Sequence, residues 1–329
     1  MTIPAPGPGG PSDPAGSAGT AAAMRSAARA LTGSLTSGQR EAALAGFTGT
    51  DRTRWTYMPL PRPGVSLLEL DQTARKAAHR LLATALSRHA FAQAVTIMAF
   101  EEVLDIDESG RLGRHSDNYY VMIFGDPGDE LWGWRFEGHH VSVTATVSAD
   151  HVVVAPLFIG SNPALIEHGG HVVLGPLWRE EQWARAIVTE LPGPLRSQAV
   201  IATAAPRDII TGTDERVPQR LEPAGIPAAR LSGATRDHLI RLVRAYLDRL
   251  APPLAEYENG RLDIDAVTFG WAGGLRPGEG HYYRLQTGDL LIEYDNTQRG
   301  ANHAHTVLRR PGADFGEQLL PRHLAAERQ

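Results

Sequence analysis

Residues 281–309 read HYYRLQTGDLLIEYDNTQRGANHAHTVLR. The runs YYRLQT, LLIEYDN and HAHTVLR are short, rich in aromatic and β-branched residues, and separated by turn-forming stretches, so they predict consecutive antiparallel strands. A similar block lies upstream, where YYVMIFG, LWGWRF, HHVSVTATV and HVVVAPLF are punctuated by Gly, Pro and Asp. Helical spacing surrounds these blocks at Ala22 to Ala45, from Leu67 after a capping signal at Ser66 and Glu69, at Ala90 to Leu104, at Leu177 to Glu190 and at Ser232 to Leu250. Strands and helices come in blocks without βαβ alternation. The expectation is an α+β fold with an antiparallel β-sheet core of two similar hairpin blocks, flanked by helices.

The two blocks share a weak repeat. Trp132-Gly133-Trp134 followed by Gly138-His139-His140 parallels Phe269-Gly270-Trp271 followed by Gly280-His281-Tyr282. Packed about a pseudo-twofold axis, matched hairpins would bring His139 and His281 to one shared site.

Composition narrows the chemistry. The 329 residues include no cysteine and carry a formal charge of −5, and Lys76 is the only lysine. Disulfides, thiolate metal sites and thiol nucleophiles are therefore excluded. The mild acidity argues against nucleic acid or a polybasic membrane contact. Residues 1–21, rich in Pro, Gly and Ala, read as a disordered tail, and 22–329 as one domain. Without a secretory signal or a run near the roughly 18 apolar residues of a span, the expectation is a cytoplasmic protein.

Histidine and carboxylate must then carry any metal. Alternation along a strand puts His303 and His305 on one face, and Glu293 and Asp295 on one face of the strand before. With His281 and His139 they form a candidate ligand set of His139, His281, Glu293, His303 and His305 for a divalent iron, manganese, copper or zinc ion. Arg135, Glu137 and His139 share a face if Gly138 introduces no bulge, so Arg135 is the candidate anion clamp and Glu137 a candidate base. His140 and Tyr283 complete the candidate catalytic residues. Glu167-His168-Gly169-Gly170-His171 reads as a loop. The stretch Arg54 to Arg62, with Trp55, Tyr57 and Pro59, reads as a proline-stiffened loop able to close over a ligand.

The segment W-x-Y-x-P-x-x-R at 55–62, WGWRFEGHH at 132–140, PLFIGSNPA at 156–164, HYYRLQTGDLLIEYDNTQ at 281–298, NHAHTVLRR at 302–310 and DFGEQLLPRH at 314–323 together resemble the domain of unknown function 3500 family. The resemblance runs from about Ala45 to the C-terminus. It implies that these segments belong to one domain and brings no reaction with it. The residues themselves suggest a metal-dependent enzyme acting on a small, anionic molecule, with oxidative chemistry expected, metal-assisted hydrolysis as the alternative, and a non-catalytic binding protein as a second alternative.

Overall fold

A computed structural model describes residues 17–319 of the chain. Eight long strands dominate: β1 Tyr119–Phe124, β2 Leu131–Gly138, β3 Val141–Ser148, β4 His151–Ser161, β5 Thr268–Gly273, β6 His281–Gln286, β7 Leu291–Gln298 and β8 His303–Arg309. Their order across the sheet is β1-β2-β3-β4-β8-β7-β6-β5, with every neighbouring pair antiparallel. Two four-stranded meanders thus meet edge to edge at β4 and β8. Four short strands extend the ends to a twelve-stranded sheet, and Ile166–His168 with His171–Leu174 form a separate hairpin. The fold is α+β, as its sequence blocks predict.

The meanders match by position, but the aromatic-Gly-Trp motifs do not. Trp132-Gly133-Trp134 lies on the second strand of its meander and Phe269-Gly270-Trp271 on the first. The sequence repeat is therefore out of step with the symmetry of the sheet, and His139 and His281 are not equivalent.

Eight described helices run in chain order as α1 Ser17–Ser34, α2 Ser37–Ala43, α3 Gln72–Ala85, α4 Arg88–Asp107, α5 Trp178–Glu190, α6 Gly193–Ala199, α7 Gly233–Leu247 and α8 Pro252–Arg261. Residues 1–16 of the expected tail, and 320–329, lie outside the described residues. Residues 17–21 belong to α1, which corrects the tail boundary. Alanine favours helix, and Ala21, Met24, Ala28 and Leu31 form a buried stripe at helical spacing. The single helix expected to Ala45 breaks at Leu35, because Thr36 caps α2 through a reciprocal pair with Gln39. Ser66 caps only a 3-10 turn, and Asp71 caps α3 instead.

The two faces of the sheet differ in chemistry. One carries Trp134, Phe136, Val141, Val143, Leu157, Ile159, Leu308, Ile292, Tyr283 and Trp271, all part of the apolar core shared with the helices. The other carries Arg135, Glu137, Ser142, Thr144, Arg284, Glu293, Asp295, His305 and Arg309, and these too are buried. Loops cover this polar face. Arg62 pairs with Glu137, Arg135 donates to the Asp51 and Arg52 carbonyls, and Arg309 donates to the Asp214 carbonyl. A small cluster of Trp55, Tyr57, Phe158, Ile209, Val307 and Phe315 fills the gap between sheet and loops. Most buried charges on this face are thus matched by a loop backbone group or counter-charge; Asp295 instead accepts from Thr297 on its own strand, and burial pushes its carboxyl up to about 7.

Candidate functional site

The site lies at one end of the polar face, where the β2–β3 turn, the end of β4 and the start of β8 meet. His139 and His140 are the two residues linking β2 to β3, since Gly138 pairs with Val141. The turn holds His140 at φ +67°, a left-handed conformation uncommon outside glycine and asparagine. Gly138 is required just before it, because a Cβ there would sit 2.1 Å from the Tyr119 ring. Gly160 on β4 lies opposite His305 and beside His140; a Cβ would come within 2.8 Å of the His140 ring and 3.0 Å of the His305 ring. The missing side chain lets the two imidazoles flank one strand. His303 and His305, two apart on β8, project to the same face, as alternation predicts.

Four imidazoles consequently touch. The rings of His139 and His140 lie 3.6 Å apart by centroid. His303 Nε2 stands 2.8 Å from His140 Nε2 and 3.0 Å from His305 Nε2. His139, His140 and His303 each offer a ligand atom within 4.8 Å of the others. Two carboxylates fix the outer rings. Asp208 Oδ1 lies 2.7 Å from His305 Nδ1, and Glu101 Oε1 lies 2.5 Å from His139 Nδ1. A carboxylate accepts, so each Nδ1 carries a proton and each ring turns its Nε2 away from the carboxylate.

Two imidazole nitrogens face His303 Nε2, and which ring donates in each contact depends on the tautomers. Burial, reinforced by the neighbouring histidines, holds the His140 imidazolium well below its ordinary range and pushes His303 down to about 3, so both rings are neutral near pH 7. Burial likewise lowers His139 despite the pull of Glu101. Although burial alone would raise Asp208, the hydrogen bond and charge of His305 hold that carboxyl below its ordinary value. Tyr57 donates to Asp208 Oδ2 at 3.2 Å and meets the His305 ring edge-on.

A cavity of about 300 Å³ opens beside the cluster, lined in part by Tyr57, Arg114, Asn162, Gln298, Arg299 and His303. Arg114 binds both oxygens of Glu108, at 2.7 and 3.0 Å, and stands 3.4 Å from Glu101.

Of the five ligands expected, His139, His303 and His305 are brought together. His281 is not. It pairs across β6–β7 with Asn296, whereas Tyr282 pairs with Asp295 and Asp295 with His305, so His281 projects from the opposite, helix-covered face. It stacks on Trp271, and its Nδ1 lies 2.9 Å from the Glu279 carbonyl. Glu293 shares the polar face but is saturated. It accepts from the Ile210 and Thr211 amides, the Thr211 hydroxyl and the Tyr282 hydroxyl, and so anchors the loop that carries Asp208.

The expected catalytic residues are corrected similarly. Arg135 spends its donors on the covering loop. Glu137 accepts from the Thr56 amide and the Ser142 hydroxyl, each at 3.0 Å, with Arg62 beside it. His139 leaves their shared face because it sits in the turn. Tyr283 is on the helix face, with its hydroxyl 2.7 Å from that of Tyr246. His140 is at the centre of the cluster, in a ligand's position. The exposed Glu167-to-His171 segment forms the small hairpin.

The residues missed by sequence are Glu101, Asp208, Gly160 and Asn162. Glu101 had a signal: it continues the buried stripe of Ala94, Ile97 and Leu104 on α4, where a carboxylate stands among apolar residues. Asp208 lies in a loop with no periodicity, and no pattern points to it.

A family model described as a protein of unknown function (DUF3500) matches residues 17–317. The chain belongs to this family. The match begins at residue 17, ahead of the stretch near Ala45 where the resemblance starts, and takes in α1, whose buried stripe makes it part of the same domain. No curated protein and no solved structure matches the chain.

Proposed function

We propose that this DUF3500 chain is a metal-dependent enzyme that holds one divalent transition ion on His140, His303 and the flanking imidazoles, and performs oxidative chemistry on a small, anionic molecule. The observation that carries the reading is the group of His139, His140 and His303, whose ligand atoms lie within 4.8 Å of one another, with His305 Nε2 3.0 Å from His303 Nε2. Nitrogens about 2.1 Å from one ion stand roughly 3 Å apart, close to the spacing of His303 Nε2 from His140 Nε2. Asp208 and Glu101 supply the outer carboxylates that orient and strengthen metal-bound imidazoles. An all-nitrogen, thiolate-free set suits copper, iron, manganese or zinc. When bound, such an ion supplies either electron transfer or polarisation of a coordinated oxygen.

The carboxylates around it favour oxidation over hydrolysis. Glu137 and Glu293, the bases a hydrolase would use, accept from loop amides and from the Ser142 and Tyr282 hydroxyls of the sheet, and Asp208 and Glu101 pair with histidines. Hydrolysis remains a second reading on one ground: three imidazoles are also the ligand set of catalytic zinc. No described helix is long and apolar enough to cross a membrane. A cytoplasmic location and the absence of a nucleic-acid partner belong to this proposal and rest on composition.

The test is elemental analysis of protein purified without a histidine tag, followed by oxygen uptake with small carboxylic and hydroxylated substrates. Near one equivalent of copper, iron or manganese with substrate-dependent uptake supports the proposal. Zinc without uptake favours hydrolysis. Less than about a tenth of an equivalent of any of these metals, after reloading and with His303→Ala no different from wild type, overturns the metal reading.

A further inference from the structure

Away from the histidine cluster, a groove of about 690 Å³ runs between α4, α5, the end of α7 and the small hairpin of Ile166–His168 with His171–Leu174. Val173, Leu174, Pro176, Trp178 and Trp183 form its apolar wall. Val173, Leu174 and Trp178 are 54, 46 and 40 % exposed, whereas Trp183 is half-buried and the other four tryptophans are buried. Open apolar surface of this kind, gathered in one groove, marks an interaction site. The charges along it nearly cancel. Arg179 and Asp248 are of opposite sign, Glu180 is neutralised by Arg249 at 2.8 Å, and burial together with Arg249 lowers His89 and keeps it neutral near pH 7. Among the described residues Arg179 has no ion-pair partner.

One segment of the chain itself has the complementary character. Residues 8–14 read PGGPSDP. A polyproline II helix repeats every three residues, so in that conformation Pro8, Pro11 and Pro14 share one edge as a ridge, with small Gly9, Gly10 and Ser12 between them. Aromatic-lined grooves accept such ridges because proline stiffens the segment before it binds and little entropy is lost. The charges fit as well: a nearly neutral groove meets a segment with one charge, Asp13, for which Arg179 is the free partner. Only Ala15 and Gly16 separate Pro14 from Ser17, the first residue of α1. Such a link spans at most about 10 Å. α1 packs against α3, α8 and β4, whereas the groove belongs to α4, α5, α7 and the hairpin. A second copy of the chain can supply the segment free of that restriction.

We infer that this groove docks the Pro8–Pro14 segment of a second copy of the chain, so that two copies pair by exchanging their proline-rich segments. The proline ridge packs on Trp178, Trp183 and the hairpin, and Asp13 meets Arg179. Twofold symmetry makes the two contacts identical, and each strengthens the other by holding its partner close. The inference is independent of the metal reading.

The experiment uses full-length protein, with sedimentation velocity and acrylamide quenching of tryptophan emission as readouts. Trp178 is the most exposed tryptophan, so quenching reports on the groove. Wild type is expected to sediment as a dimer at about 50 µM, within the range of weak, specific association. A variant carrying Pro8→Ala, Pro11→Ala and Pro14→Ala together is expected to lose at least about tenfold in dimer affinity and to be quenched more strongly, and Trp178→Ala to lose a similar factor in affinity. Mixing these two variants unites an intact groove with an intact segment and is expected to restore a heterodimer that neither forms alone. Arg179→Glu, an exposed position, is the second groove variant should Trp178→Ala melt early, and it too is expected to weaken the dimer. A wild type that stays monomeric up to about 200 µM, or a dimer unchanged in the segment and groove variants alike, overturns the inference. So does a monomer whose quenching rises in the triple variant, because the segment then occupies the groove of its own chain.

Discussion

Two histidine environments on opposite faces of one sheet show what distinguishes a packed imidazole from a ligand. His281, on the helix face, lies parallel to Trp271 at 4.9 Å and near Tyr294, and is linked to a main-chain carbonyl. Its nearest charged partners, Glu181 and Arg185, pair with each other at 2.7 Å. One imidazole sits there among rings, beside an ion pair whose arginine stands 3.3 Å from His281 Nδ1. On the loop face four imidazoles crowd together, two of them pinned by carboxylates, with their nitrogens turned toward one another. Burial is similar in the two places. The difference is in what the nitrogens meet: His281 Nε2 is buried without a hydrogen-bond partner, 3.8 Å from Glu181, whereas His303 Nε2 has two imidazole nitrogens within 3.0 Å.

The sharpest way to break the comparison is to truncate one histidine on each face. His303→Ala and His140→Ala are each expected to reduce bound metal to less than about a tenth of an equivalent, while His281→Ala keeps the wild-type amount; elemental analysis of the three proteins decides it. Asp208→Asn tests the outer carboxylate. The amide can no longer take the His305 Nδ1 proton as a charged acceptor, and metal affinity measured by chelator competition is expected to drop about 10- to 100-fold with the fold intact. Gly160→Ala probes the approach of the rings across β4. A Cβ 2.8 Å from His140 and 3.0 Å from His305 must push one ring aside, so metal affinity is expected to fall by about tenfold or more while the far face is undisturbed.

Stability should show the reverse asymmetry. His281→Ala removes a ring stacked between aromatic neighbours and is expected to cost about 2–4 kcal/mol in a denaturant melt of metal-free protein, the range of large-to-small core changes. The smallest effect is in the pH dependence. Burial lowers the His281 imidazolium below its ordinary value despite the opposing pull of Glu181. The unfolded chain therefore takes up a proton below about pH 6.5 that the native state refuses, so the contribution is full above that pH and is lost as the pH falls. Melting of metal-free His281→Phe between pH 8 and 5 should be less acid-sensitive than that of wild type; an identical slope would show that His281 does not contribute.

Much of this arrangement was legible in sequence, and the failures have a common origin. Strand blocks announced themselves by composition, and the shared face of His303 and His305 follows from alternation within a single strand. Between strands that rule needs a register, and a slip of one residue reverses the faces. Gln286 pairs with Leu291 around the β6–β7 turn, which sets His281 opposite Asn296 and removes it from the face of Asp295. No residue type in that turn signals which register holds. Glu137 and Glu293 were well placed by alternation but are occupied by backbone amides from loops distant in sequence. Loop partners of this kind leave no periodic trace. Glu101 did leave one, as a carboxylate within the buried stripe of α4, and Asp208 left none.

The account stands or falls on whether a metal binds among these imidazoles. X-ray absorption at the edge of the copper, iron, manganese or zinc found in tag-free protein tests this directly. The expected spectrum has at least three nitrogen ligands at about 2.0–2.1 Å with the outer-shell scattering of imidazole and no sulfur, and it loses imidazole scattering in His140→Ala. A first shell of oxygen alone, or an imidazole signal unchanged by His140→Ala, would contradict it.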